Sequence, residues 1–157
     1  MSAVYFYHLT DTPLEVALPP LLGKCAQAGW RVVIRGRQSA RLEWLDQRLW
    51  LGDEAGFLPH GLAGGAHDAH QPVLLGTDET PVPDGACLMT IDGAPVDPAE
   101  VGRLARTCIL FDGNDPDAVQ SARAQWKALT DAGSPAQYWA QEAGRWIKKA
   151  EKIPAGA

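Results

Sequence analysis

The sequence predicts an α/β fold with three layers, in which a mostly parallel (mixed) sheet is flanked by helices. Short segments of β-branched and aromatic residues alternate with longer amphipathic segments over the first fifty residues. Strands that alternate with helices favour parallel pairing with right-handed crossovers. The turn after the first strand, residues 9–12, contains no glycine, so we expect no phosphate-binding loop. The 157 residues fit a single domain spanning 1–157.

The first strand and the first helix have the clearest signals. Residues 4–8 are β-branched or aromatic and predict a buried strand. Thr12 is a good N-cap, and Glu15 three positions later predicts a capping box at the start of a helix. Pro19 and Pro20 interrupt that helix and predict a kink or a restart. The predicted apolar stripe of the helix consists of Leu14, Leu18, Leu21, Leu22 and Cys25.

The remaining elements follow from the same signals. The predicted strands cover 31–35, 73–75, 86–91 and 107–111, and the predicted helices cover 39–50, 98–104, about 115–131 and 135–152. Residues 52–72 are rich in glycine and predict a long loop. We expect a frayed tail over about 152–157, where proline, alanine and glycine end the chain.

Composition excludes several classes of function. The net charge of −5 argues against direct binding of DNA by the whole surface. No run of 18 apolar residues exists and the N-terminus lacks a signal-peptide pattern, so we expect no membrane association. Three widely spaced cysteines without a CxxC pair are typical of buried free thiols, which suits a cytoplasmic protein.

No pattern of catalytic or metal-binding residues stands out. His60, His67, Asp68 and His70 share one segment, but a glycine-rich loop does not fix ligands in place, so we expect no metal. There is no GxSxG motif and no evident catalytic carboxylate pair. We therefore expect no catalytic site and no cofactor.

The predicted helix over about 115–131 carries a possible binding site. Arg123, Trp126 and Lys127 stand at i, i+3 and i+4, so they share one face beside the apolar stripe. Two cations next to a half-exposed ring suit a ligand that has a carboxylate beside an apolar group. The alternative is a core tryptophan next to two solvated cations, and spacing alone leaves both open. The predicted apolar stripe consists of Val119, Ala122 and Leu129.

Four segments together resemble the chi subunit family of bacterial DNA polymerase III. Residues 41–50 form a helix that ends in Leu-Trp, and 57–64 follow with an aromatic residue, Pro-His and a Leu-Ala-Gly turn. The Gly-x-Arg-Val-x-Ile strand at 29–34 and the Arg-x-x-aromatic-Lys helix at 123–127 match the family in the same order.

The resemblance implies an accessory subunit of the clamp-loader assembly in DNA replication, without a catalytic site of its own. Such a subunit links the polymerase to the acidic C-terminal tail of single-stranded DNA-binding protein, which ends in phenylalanine. The tail site of the family carries over to Arg123, Trp126 and Lys127. The family has tyrosine where this chain has Trp126, so we expect ring packing to persist without a hydroxyl contact.

A second surface is implied for another partner. Its aromatic residues carry over to Trp50 and Phe57, which would bind the psi subunit, a helicase-like repair protein or another clamp-loader subunit. The fold implied is a Rossmann-like sheet without its phosphate loop. Two alternatives remain open: a nucleotide-binding or small enzyme domain of unknown substrate, and a purely structural subunit.

Overall fold

The computed structural model describes residues 3–50, 60–63, 72–77 and 80–153, and confirms the α/β class. The strands are β1 (Val4–Leu9), β2 (Val32–Arg35), β3 (His60–Leu62), β4 (Val73–Gly76), β5 (Cys87–Thr90), β6 (Arg106–Asp112), β7 (Ala136–Glu142) and β8 (Arg145–Lys152). The helices are α1 (Leu14–Gln27), α2 (Ser39–Trp50), α3 (Pro98–Val101) and α4 (Pro116–Asp131). The strands form one sheet in the order β3-β4-β2-β5-β6-β1-β7-β8, and among them β8 alone runs antiparallel to its neighbour.

The sheet separates two helical layers, as predicted. Alternate residues of a strand point to opposite faces, so Phe6 of β1 packs on the α4 side while Tyr7 packs on the α1 and α2 side. The strands β2, β4 and β5 are buried along their whole length, which is typical of parallel strands covered on both faces. The core therefore lies on both sides of a central parallel sheet.

The helix α1 confirms its apolar stripe but not its predicted start. The five stripe residues are all buried. The capping box is wrong: Pro13 is the N-cap, without a side-chain cap, and the Thr12 hydroxyl instead accepts a hydrogen bond from Gln141 at 2.6 Å. The helix continues through Pro19 and Pro20, whose rings are exposed, so water can solvate the carbonyl groups that lose their helical partners.

The predicted helix over 135–152 is wrong, because this segment is a β-hairpin. Ala143 and Gly144, with φ angles of 51° and 75°, form the two-residue turn that joins the two antiparallel strands. The flanking residues include aromatic and β-branched types that favour strands. β7 also pairs in parallel with β1, so the rest of the sheet selects the extended conformation.

The predicted loop over 52–72 contains a short strand, β3, which pairs in parallel with β4. Phe57, His67 and His70 lie outside the described residues. The frayed tail expected over about 152–157 falls mostly on 154–157, also outside the described residues, and Lys152 is the last residue of β8.

The prediction of buried free thiols is confirmed. All three cysteines are buried and unpaired, and the sulfur atoms of Cys87 and Cys108 lie 4.0 Å apart. A hydrogen bond with Cys87 and burial raise the pKa of the Cys25 thiol well above its usual range. Among the described residues, none of the helices combines the length and the hydropathy that a membrane-spanning helix requires.

Candidate functional site: a docking surface on α4

Local sequence positions α4 against the sheet. Asp115 caps the helix by accepting a hydrogen bond from the backbone N–H of Asp117 at 3.0 Å, and Pro116 occupies the first turn. Ala122 and Leu129 are buried against the face of β1 and β6 that contains Phe6. The helix therefore presents its remaining faces to solvent and to β7.

Trp126 occupies the border between core and surface that its spacing predicts. The ring is half-buried, and its centroid lies 5.3 Å from that of Phe6 and 6.1 Å from that of Tyr138, both in edge-to-face geometry. Edge-to-face contacts of this kind add to the stabilisation that the burial of apolar area provides. One side of Trp126 is thus anchored while the rest of the ring remains accessible.

Tyr138 places a polar group beside this ring and beside Arg123. Its hydroxyl lies 2.7 Å from Nδ1 of His8. Burial raises the pKa of Tyr138, and the positive charge of Arg123 opposes that rise. The ring of Trp126 contacts that of Tyr138, and Arg123 stands about one helical turn from Trp126, so the cation and the two rings lie on the same side of the sheet.

Lys127 lies on the same helix but already has a partner. Its ammonium group binds the carboxylate of Asp131 at 2.8 Å, one helical turn away. The hydrogen bond and the charge of Asp131 raise the pKa of Lys127. Lys127 and then Lys152 lower the pKa of Asp131. Both members of the pair are exposed, so an incoming carboxylate can compete with Asp131 at little cost.

The structure brings together residues that the sequence does not connect. Phe6, His8, Tyr138 and Asp131 complete the surroundings of the predicted site but were missed. Asp131 stands at i+4 from Lys127, a spacing that predicts an ion pair. The other three could be found only through the pairing of β1 with β7.

The second predicted surface lies at the end of α2. Trp50 is the last residue of that helix. The structure describes its backbone but not its side chain, and Phe57 lies outside the described residues. Nearby on α2, the guanidinium groups of Arg41 and Arg48 lie 4.3 and 5.4 Å from the ring centroid of Trp44. The juxtaposition of Trp50 and Phe57 therefore remains a prediction.

A crevice of about 750 Å³ opens at the carboxyl ends of β1 and β6. After β1 the chain continues into α1 on one face of the sheet, and after β6 it continues into α4 on the other face. Such a change of face between two neighbouring strands is the topological switch point at which α/β proteins commonly bind ligands. Carboxylates dominate this crevice, so its charge disfavours a phosphate. Its charged lining residues are Asp11, Glu15, Asp92, Asp112, Asp115, Asp117, Arg37 and Arg41. In the part of the chain that is described, no group of three His, Cys, Asp or Glu residues could hold a metal.

Comparison with known proteins identifies the family of this chain. A curated protein of Rickettsia prowazekii (strain Madrid E), named "Probable DNA polymerase III subunit chi", is 26% identical over 104 residues, which are 66% of this chain and 60% of that protein. The match thus spans less than two thirds of the relative's length. The family model described as DNA polymerase III chi subunit, HolC, matches residues 1–137. The chain therefore belongs to the DNA polymerase III chi subunit family.

Proposed function

We propose that this chain links the clamp-loader assembly of DNA polymerase III to the C-terminal tail of single-stranded DNA-binding protein. Membership of the chi family supports the replication role. The observation that carries the tail assignment is the half-buried ring of Trp126 with the exposed Arg123 about one helical turn away on the same side of α4. The protein would act in the cytoplasm, as an adaptor without chemistry of its own.

The chemistry of the tail matches this surface. An acidic peptide ending in phenylalanine offers a terminal carboxylate next to an aromatic ring. Arg123 would take the carboxylate, because guanidinium groups bind carboxylates through two parallel hydrogen bonds. The phenylalanine ring would pack on the accessible part of Trp126, and Lys127 would exchange Asp131 for an acidic side chain of the tail.

We expect modest affinity that falls with added salt. Arg123 and Lys127 are exposed, so their attraction to an acidic peptide is screened over about 8 Å at physiological ionic strength. The apolar contact at Trp126 is less affected by salt. Raising the salt concentration should therefore weaken binding without abolishing it.

The test is a titration of a fluorescent tail peptide against the Arg123→Ala variant. We expect the dissociation constant to rise by about tenfold or more, since arginine at the centre of a small interface carries much of the binding energy. Lys24→Ala is the matched control, because Lys24 is an exposed cation on α1, on the opposite face of the sheet. Equal affinity of the Arg123→Ala variant and the wild type would remove Arg123 from the site.

A second contact would hold the chain within the holoenzyme. Trp50 and Phe57 would bind the psi subunit, a helicase-like repair protein in its place, or another clamp-loader subunit. The support is the position of Trp50 at the end of α2, on the face of the sheet opposite to α4. Two partners could then bind at once without competing for one surface.

A further inference from the structure

The hairpin of β7 and β8 lies almost entirely beyond the residues that the family model matches, 1–137. β8 is the outermost strand of the sheet, and seven of its eight residues are exposed. It is basic in a chain whose net charge is −5. Its charged residues are Arg145, Lys148, Lys149, Glu151 and Lys152.

Strand register shows which side chains of β8 face α4. Tyr138 packs against Trp126 and therefore points to the α4 side. Residues opposite each other in a strand pair share a face, so Ala150, the partner of Tyr138, points the same way. The same rule places Arg145, Ile147 and Lys152 on the α4 side, through their partners Glu142, Ala140 and Ala136.

This part of the sheet extends beyond the helix. α4 packs chiefly against β6 and β7, and Ile147 remains 38% exposed. Lys152 stands opposite Ala136, which packs in the same core cluster as Leu129 near the end of α4. The charge of Lys152 contributes to the lowered pKa of Asp131. The result is a surface with apolar floor residues and cations on both sides. We call it the basic strip, formed by Arg123, Lys127, Arg145, Ile147, Ala150 and Lys152.

We propose that the basic strip binds the acidic segment that precedes the apolar C-terminus of an extended peptide held at Trp126. This inference rests on the proposed function, and it assigns the hairpin as a second half of the same site. Neither Arg145 nor Lys152 forms a side-chain ion pair within the described residues, so both cations are available to an acidic ligand. β8 spans about 26 Å at about 3.3 Å per residue, which accommodates roughly eight extended residues.

The strip suits a peptide better than a nucleic acid. Single-stranded nucleic acids need aromatic rings on which bases stack. The rings of Trp139 and Trp146 pack against the opposite face of the sheet. On the α4 side the rings of Trp126 and Tyr138 pack edge-to-face on each other, so β8 itself presents no ring to the strip. On the strip itself the exposed floor is aliphatic, with Ile147 and Ala150, and carboxylates such as Glu142 stand among the cations. That mixture favours an acidic polypeptide.

The experiment compares two fluorescent probes that share a terminal phenylalanine. The long probe is an acidic peptide of about nine residues, which could reach along β8. The short probe contains only about the last three residues of that peptide. The double variant Arg145→Gln/Lys152→Gln should bind the long probe about fivefold more weakly, since each exposed ion pair contributes a factor of roughly two to five. Its affinity for the short probe should not change.

The matched control is Lys24→Gln/Arg37→Gln, which removes two exposed positive charges outside the strip. It should bind both probes like the wild type. If both double variants lost equal affinity for the long probe, or if neither lost any, the proposal that the basic strip binds the peptide would be wrong. A loss of equal size for the long and short probes would likewise overturn it. A single-stranded oligonucleotide that binds the strip more tightly than the long probe would also overturn it, in favour of nucleic acid.

The outcome for the proposed function is separate. If the wild type binds both probes and Arg123→Ala weakens both, the tail site stands whatever the hairpin variants do. If the wild type binds neither probe, the tail site and the strip both fail. Thermal melts of each variant distinguish lost contacts from lost folding.

Discussion

At the scale of single residues, a two-point ion pair joins Arg35 to Glu100. The two guanidinium nitrogens donate to the two carboxylate oxygens at 2.7 and 3.2 Å, and Arg35 also donates to the carbonyl of Pro95 at 3.0 Å. The side chains are only 8% and 12% exposed. Burial alone would raise the pKa of Glu100, but hydrogen bonds from Arg35 and from the backbone N–H of Asp97, with the charges of Arg35 and Arg103, lower it overall.

Replacing Glu100 by glutamine should lower the free energy of unfolding by about 3 kcal/mol at pH 7, because the charge of Arg35 would stay buried without its partner. Since the folded pKa of Glu100 lies below its ordinary value of 4.5, its stabilising contribution is complete above that pH. The contribution is lost as the pH falls through the folded pKa. Urea denaturation at pH 7 and at about pH 3 should therefore show a difference between variant and wild type that shrinks in acid.

The control for this prediction is Asp84→Asn. Asp84 pairs with Arg103 at 3.1 Å but is 83% exposed, so its loss should cost less than about 1 kcal/mol. A difference between Glu100→Gln and the wild type that stays constant over this pH range would contradict the assigned charge state.

At the scale of elements, the side chain of Gln141 helps strand pairing to hold the hairpin in place. Gln141 of β7 accepts hydrogen bonds from the backbone N–H groups of Thr10, Asp11 and Thr12, and it donates to the Thr12 hydroxyl. These contacts tie β7 to the loop that leads into α1. They also explain why Thr12 does not cap that helix.

The turn of the hairpin predicts a mutation that stabilises the protein. Ala143 has a φ of 51°, a left-handed conformation that costs a residue with a Cβ about 1 to 2 kcal/mol. Ala143→Gly should remove this strain and raise the free energy of unfolding by about 0.5 to 1 kcal/mol, after the greater entropy of glycine in the unfolded chain is subtracted. Thermal and urea denaturation measure the change.

Ala124→Gly provides a control of opposite sign. Ala124 is exposed in the interior of α4, where glycine costs about 1 kcal/mol relative to alanine. If both variants were destabilised alike, the two-residue turn at Ala143 and Gly144 would be contradicted.

At the scale of the whole molecule, the segment that the family model matches ends before the last strand of the sheet. The match ends at residue 137, within β7. Yet Tyr138, Trp139 and Ala140 pair with the central part of β1, and Trp146 packs edge-on against Tyr7 at 5.0 Å between ring centroids. The hairpin therefore belongs to the core of this protein.

A chain cut after Gln137 should lose most of its stability, by more than about 4 kcal/mol, since Tyr138, Trp139 and Trp146 would no longer cover the core residues that they pack against. We expect a broad melt and binding of a dye that recognises exposed apolar surface. A chain ending at Ile153 is the control and should melt like the full chain. A sharp, unchanged melt of the shorter chain would show that the hairpin is dispensable for folding.

The tail site was only half predictable. The spacing of Arg123, Trp126 and Lys127 placed them on one face, and the structure places Trp126 at the predicted border. Their neighbours Tyr138 and His8 are 130 positions apart in the chain, so no local pattern connects them. What the three residues bind remains a prediction.

The sequence by itself determined the α/β class, the buried stripe of α1, the start and length of α4 and the burial of the three thiols. Amphipathic periodicity and capping residues act over one or two turns, so a single chain segment carries enough information for each of these. Only the tertiary structure decided that residues 136–152 form strands, since a segment that mixes alanine, lysine and glutamate with aromatic residues suits helix or strand until a neighbour offers hydrogen bonds. The edge of β1 offers them. That choice also brought Tyr138 to Trp126 and the basic strip alongside α4.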